Sequence, residues 1–384
     1  MKRGGLLLAL ALLAGCSAVG DTINKINPFA ADAPKVKAAE LTPIEPSAEI
    51  RVLWQANVGA AGDFVFTPAV VGNAVFAASR DGTIARLEDG REVWRIAVGQ
   101  PLSAGVGADA KLVVVGTIKG DVLAYDAVTG KEVWKTRATS EILSAPAIGA
   151  GMVVVRSGDA RIFAFDAGDG RRRWVYQRSS PTLTLRSNAS ALFIEPGILA
   201  GFPGGKLVIV SAGNGAVLWE GTVALPKGAT ELERVADITG GIATEGRMIC
   251  AAAFQGRVAC FDMSSGSTLW SRDLSSRAGV DIDSRYVFVS DDKGTIQSLD
   301  RDSGGSVWKQ DKLFMRGLSR PLALGKHVMV ADGQGVVHVL RREDGVFAAR
   351  FTTDGSAVSA DPQRIPGGFL VQTRNGGLYA LAVK

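Results

Sequence analysis

Few residues in this chain could do chemistry. Its 384 residues include two histidines and three cysteines. His327 and His338 share one short stretch with no cysteine or carboxylate at ligand spacing, which fits neither a zinc site nor a Ser-His-Asp site. No Gly-rich phosphate loop opens a helix. Asp126, Asp166, Asp262 and Asp300 recur at matching places and read as turn formers. Cys250 and Cys260 flank Phe254-Gln255-Gly256. A three-residue hairpin with Gly256 at its bulge position pairs 253 with 257, and hence 250 with 260. Directly opposed strand residues lie within disulfide range, and an exported protein meets an oxidising compartment. The two are either bridged or reduced thiols packed as small hydrophobes. Counting thiols under denaturation separates these readings.

Cys16 sits in a different setting. Lys2 and Arg3 precede an apolar run, Leu6 to Leu13, which is too short to span a bilayer and reads as a secretory signal. The end of that run, Leu13-Ala14-Gly15-Cys16, resembles the lipobox of bacterial lipoproteins, whose cysteine becomes the lipidated first residue of the mature chain. Cleavage there removes both basic residues and lowers the formal charge from +5 to +3. That excess is slight, and no basic cluster is interleaved with aromatics, so no nucleic acid is expected as a partner. Residues 16–48 are rich in Pro, Ala, Asn and Lys, lack a sustained period, and read as a lipidated flexible tether. The chain thus divides into a lipoprotein signal peptide (1–15), the tether (16–48) and a folded body (49–384).

The body is a repeat. Tryptophans stand at 54, 94, 134, 174, 219, 270 and 308. A small residue followed by an alternating apolar strand recurs eight times, beginning at Gly82, Gly120, Ala160, Gly205, Gly256, Gly294, Gly335 and Gly376. After each of the first seven comes a Gly-containing turn and a strand ending in Trp, except that Ala349 takes the Trp place in the seventh. The period is two throughout, so each unit holds about four strands and no helix. Four strands in about 40 residues, repeated radially, describe a β-propeller blade. The prediction is an all-β, eight-bladed propeller of four-stranded antiparallel blades. The chain stops after the third strand of unit eight, and Glu49 to Trp54 resembles the missing fourth, so the N-terminal strand should close the ring.

Departures from the repeat need a reason other than packing. From each Trp place to the next small residue there are 24–28 residues in six units, but 31 in unit four and 37 in unit five. Both insertions fall in the connection from one blade's outer strand to the next blade's inner strand, so they should form one patch. The first, Ser180 to Arg186, carries Leu183 and Leu185. The second, Pro226 to Asp237, mixes charge with Leu232 and Val235. Apolar anchors rimmed by charge suit a protein-binding site. The competing reading is that the loops pack on each other and cap the blades.

The units, clearest at Ala124 to Trp134, resemble the repeat of pyrroloquinoline-quinone enzymes over residues 50–384. Alcohol-oxidising members stack an adjacent cysteine pair on the quinone, whereas Cys250 and Cys260 are ten apart and the acidic calcium site cannot be placed. A quinone-dependent dehydrogenase is therefore the runner-up. A small-ligand binder would need aromatics on the innermost strands, which are mostly small or aliphatic (145–148 and 189–194). The lipobox, the eight blades and both insertions together resemble the BamB family, lipoproteins of the outer-membrane β-barrel assembly machinery. Pro181 to Arg186 and Thr230 to Asp237 are the most specific segments. The resemblance implies a non-catalytic scaffold without a cofactor, lipid-anchored at the periplasmic face of the outer membrane. By the same resemblance these loops bind POTRA domains of BamA, with Leu183, Leu185, Arg186 and Asp237 at partner-contacting positions. Glu233 and Arg234 lie alongside and complete the expected site, and unfolded outer-membrane proteins are further candidate partners. The family often carries a second Asp where this chain has Thr239.

Overall fold

A computed structural model describes residues 37–195 and 197–384. Among them are thirty-two strands and no helix, arranged as eight four-stranded antiparallel sheets. Blade one runs outward from Ala69–Val71 through Ala74–Ala78 and Thr83–Glu88 to Arg91–Ala97. Six further blades repeat this order, and each is one of the units read from the sequence. In blade eight, Gln363–Ile365, Gly368–Gln372 and Gly377–Val383 are completed by Ile50–Asn57, with Ile50 opposite Val383 and Trp54 opposite Ala380. The N-terminal strand therefore closes the ring.

The middle strands bury both faces, which is why they read as continuous apolar runs. Strand alternation sends Val113 and Val115 toward blade one, and Leu112 and Val114 toward blade three. The result is one hydrophobic cluster at every blade-to-blade interface around the ring. Cys250 and Cys260 lie in the cluster between blades five and six. They face each other in the ladder, in the register expected from the sequence, and are joined as a disulfide with a Cα–Cα distance of 4.1 Å. The hairpin linking them differs from expectation. Gln255, not Gly256, takes the left-handed conformation, with φ 48°. Oriented with its nitrogen toward the second insertion, the Gln255 amide donates to the carbonyls of Leu232 and Val235.

The tryptophans do more than fill gaps. Each indole N–H from Trp94 to Trp308 donates to a carbonyl in the outer turn of the next blade, as Trp134 does to Ala167 at 2.9 Å. The glycine of that turn lies against the same ring. Gly170, at φ +72°, would place a Cβ 2.7 Å from Trp134, so its lack of a side chain serves both the turn and the contact. The exception at Ala349 now has a cause. The next blade's outer strand comes from the N-terminus, so no outer turn exists there for a Trp to reach. Instead Ser47 and Ala48 donate to the carbonyl of Ala348.

Just before each Trp place the outer strand is bulged. A bulge twists an edge strand and blunts it against further pairing. Leu53, Val93, Val133, Leu218, Leu269 and Val307 are exposed because they are the bulged residues.

Residues 39–48, placed in the tether by composition, lie against blade seven. Ala39 N–H donates to Phe314 at 2.9 Å, and its carbonyl accepts from Arg316 at 3.0 Å. Leu41 and Ile44 pack on the cluster between blades six and seven. Alternation is absent here because the segment runs as an extended strap outside any sheet. The rest of the expected tether that precedes residue 37, the signal peptide and Cys16 lie outside the described residues.

Candidate protein-docking site

In a blade of this topology the hairpin between the two middle strands and the connection to the next blade share one face. Both insertions are on it. They are also tied together, by Asp237. Its carboxylate accepts from Leu185 N–H at 2.7 Å and from Gly204 N–H at 3.0 Å, so one side chain joins the second insertion to the first and to the hairpin of blade four. Asp237 is 2 % exposed. It was expected to contact a partner directly; buried, with a hydrogen bond on each carboxylate oxygen, it holds the loops. Thr239, where the family often has Asp, donates its hydroxyl to the Arg277 carbonyl at 3.3 Å, a bond that an ionised carboxylate could not make.

The second insertion has a small scaffold of its own. Thr230 Oγ1 accepts from Glu233 N–H, and the Glu233 carboxylate accepts from the N–H groups of Ala229 and Thr230. This is the reciprocal Thr-x-x-Glu capping arrangement around a single helical turn, and the Arg234 N–H bond to the Thr230 carbonyl completes the turn. Hydrogen bonds from the Thr230 and Ala229 backbone hold the Glu233 carboxyl below its usual range. The Thr230-Glu-Leu-Glu233 spacing of the box stands in the sequence, in a stretch whose strand periodicity says nothing of it. Arg234 is exposed and lies 3.7 Å from Glu231.

The loops therefore present a graded surface. Val235 is buried beneath it and Leu185 is half-buried. Leu183 is 39 % exposed, Leu232 70 % and Leu225 62 %. Leu225 was missed because it directly follows a buried strand end. Arg186 is exposed and has no hydrogen-bonded or ion-paired partner among the described residues. Leu183, Leu185 and Arg186 thus share one face of the propeller with Leu232, Glu233 and Arg234, and the buried Asp237 ties the two insertions together at Leu185.

Beside the patch the central channel opens as a cavity of about 840 Å³ whose rim includes Leu185 and Arg186. No aromatic side chain lines it. Its charged groups largely satisfy one another. Arg320 reaches Asp281 at 3.6 Å and Asp361 at 3.8 Å, and Arg364 reaches Asp281 at 2.8 Å. Burial raises the Asp361 carboxyl against the pull of Arg320.

His338 does have a carboxylate neighbour, contrary to the spacing argument. Its Nε2 lies 2.9 Å from Asp332, across the hairpin of blade seven. The same carboxylate binds Arg316 at 2.6 Å and the N–H groups of Gln334 and Val336. Desolvation drives the His338 pKa down despite Asp332. The cluster is sealed from solvent and supports the arginine that grips Ala39. No group of three or more His, Cys, Asp or Glu suited to a metal occurs among the described residues.

This architecture defines a class: an eight-bladed propeller of quinone-enzyme-like repeats, with two enlarged neighbouring connections clamped on one face. A family model described as outer membrane protein assembly factor BamB matches residues 80–310 and 292–384, and the chain belongs to that family. It is 42 % identical over 380 residues to the outer membrane protein assembly factor BamB of Bordetella pertussis, which covers 98 % of this chain and 96 % of the relative. The crystal structure of BamB from Moraxella catarrhalis superposes with a TM-score of 0.82 at 26 % identity, over 87 % of this chain and 100 % of that one. Quinohemoprotein alcohol dehydrogenase from Comamonas testosteroni gives a TM-score of 0.70 at 13 % identity, over 86 % of this chain and 76 % of that one, a likeness of fold alone.

Proposed function

We propose that this protein is a non-catalytic scaffold of the outer-membrane β-barrel assembly machinery. Its lipid-anchored propeller docks a periplasmic POTRA domain of BamA and helps outer-membrane proteins fold and insert. The observation that carries this reading is the clamped pair of insertions. Two neighbouring blades alone have long connections, Asp237 fixes them to one another, and they offer solvent three leucines and an unpaired arginine. A loop that merely capped the blades would turn Leu183, Leu225 and Leu232 inward. Burying one such side chain in an interface contributes about 1.5–3 kcal/mol, and Arg186 can make a two-pronged contact with a carboxylate or with backbone carbonyls. Family membership supports the assembly role and association with the outer membrane. A channel without aromatic rings offers a quinone or a sugar no stacking surface, so the dehydrogenase and small-ligand readings have less behind them.

The test is affinity capture of the tagged, full-length protein from detergent-solubilised envelopes of its own organism. The reading requires BamA among the retained proteins. Retention of the lipoprotein without BamA would overturn it.

A further inference from the structure

The fifth residue of the second strand of each blade is small in six units: Ala78, Gly116, Gly201, Ala252, Ser290 and Ala331. There is little room there. A Cβ on Gly116 or Gly201 would lie 2.4 Å from the side chain of Ile142 or Ile238. Two units depart from the rule. In blade eight Gln372 uses its extra length to donate to the Ala78 carbonyl at 3.1 Å and so ties the last blade to the first. In blade three the residue is Arg156.

Arg156 is 9 % exposed. Its guanidinium lies 5.4 Å from the centre of the Phe202 ring and donates to the Ala189 carbonyl. It has no carboxylate partner among the described residues. Asp159, three residues on, is engaged with Arg161, and Glu141, which lines the same cavity, with Ser140. Burying a charge without a counter-charge is costly, and desolvation pushes the Arg156 pKa down to about 10. Arg156 lines a small cavity of about 120 Å³. The first insertion, Thr184 to Ser187, also lines it, and Glu141 is its one acidic lining residue. Two guanidinium groups, Arg156 and Arg186, thus line a cavity with one carboxylate and leave a net charge for one acid.

We propose that this cavity is a socket for a single Asp or Glu side chain of the docking partner, with Arg156 as its floor and Arg186 at its rim. The proposal rests on the docking reading and gives it a specific chemistry. The leucines supply apolar contact, and the socket selects a partner whose carboxylate projects beside an apolar surface. A carboxylate seated there gains a charge-assisted contact with a guanidinium that is already largely buried.

The test is a double-mutant cycle between the full-length propeller and the periplasmic domain of the partner. Arg156→Met keeps the stem over Phe202 and removes the charge. It should weaken binding about thirtyfold or more while the melting curve stays cooperative. Each Asp and Glu of the partner is then changed singly to Asn or Gln. One of these changes should cost about as much against the parent propeller and cost little more against Arg156→Met. If no single change has that effect on the parent propeller, the socket is wrong, and this arm does not depend on the folding of any propeller variant. Loss of binding in Leu183→Ala/Arg186→Ala with full binding by Arg156→Met would overturn the socket and leave the docking face standing. Full binding by both would overturn the docking reading itself.

Discussion

Asp237 is the residue on which the site depends, and it acts from below the surface. It was read from the sequence as a contact because its position matches the family's acidic patch. Burial cannot be read from a match of that kind. Two N–H groups, from Leu185 and Gly204, would be orphaned by Asp237→Ala, and bonds to a charged group contribute roughly 1.5–3 kcal/mol each. That variant should melt several degrees below the parent and loosen both insertions together. An unchanged melting temperature would mean that the clamp is not holding the loops. Glu233 makes a second prediction at this scale. Its folded pKa lies below that of an ordinary glutamate, so the capped turn keeps its stabilisation above the ordinary value and loses it as pH falls through the lower folded pKa. The amide resonances of Ala229 and Thr230 should titrate with a midpoint below 4.5. A midpoint at or above that value would remove the cap. Leu183 and Arg186 were legible because nothing in a blade repeat explains them. Leu225 and Arg156 were not, since the first follows a strand and the second reads as one more residue in an apolar run.

At the scale of elements, the repeat made nearly every strand legible. A period of two with a glycine turn and a terminal Trp leaves little freedom. The partner of each Trp was not legible, because the glycine it touches lies 34–47 residues further on in another blade. The same geometry explains why the seventh unit can dispense with Trp, and it raises the importance of the closing strand. Ile50–Asn57 pairs with Gly377–Val383, and Trp54 lies against Gly90 of blade one. A chain that begins after Asn57 should lose the seal between the last and first blades. Trp54 is half-buried, so its loss costs less than the roughly 3–5 kcal/mol of a fully buried Trp, but the loss of the whole strand with it should make the truncated chain melt well below the parent. Equal melting temperatures would contradict closure by this strand.

For the whole molecule, the strap at 39–48 means that the propeller body begins ten residues earlier than composition suggested, at Ala39, held by Arg316. Cys16 remains the proposed anchor. A lipid chain contributes about 0.8 kcal/mol per buried CH₂, and stable attachment takes more than one chain. Cys16→Ser should therefore leave the protein soluble or unprocessed on fractionation. A Cys16→Ser protein that is processed normally and still pellets with the outer membrane would refute the anchor. The central claim is that the exposed loop patch, and not the ring or its channel, is where this protein meets the assembly machinery. Its most direct measurement is the affinity of purified Leu183→Ala/Arg186→Ala for the periplasmic domain of BamA, taken beside its melting curve. The account predicts a parental melting curve with affinity reduced about thirtyfold or more. A folded double variant that binds as tightly as the parent would contradict it.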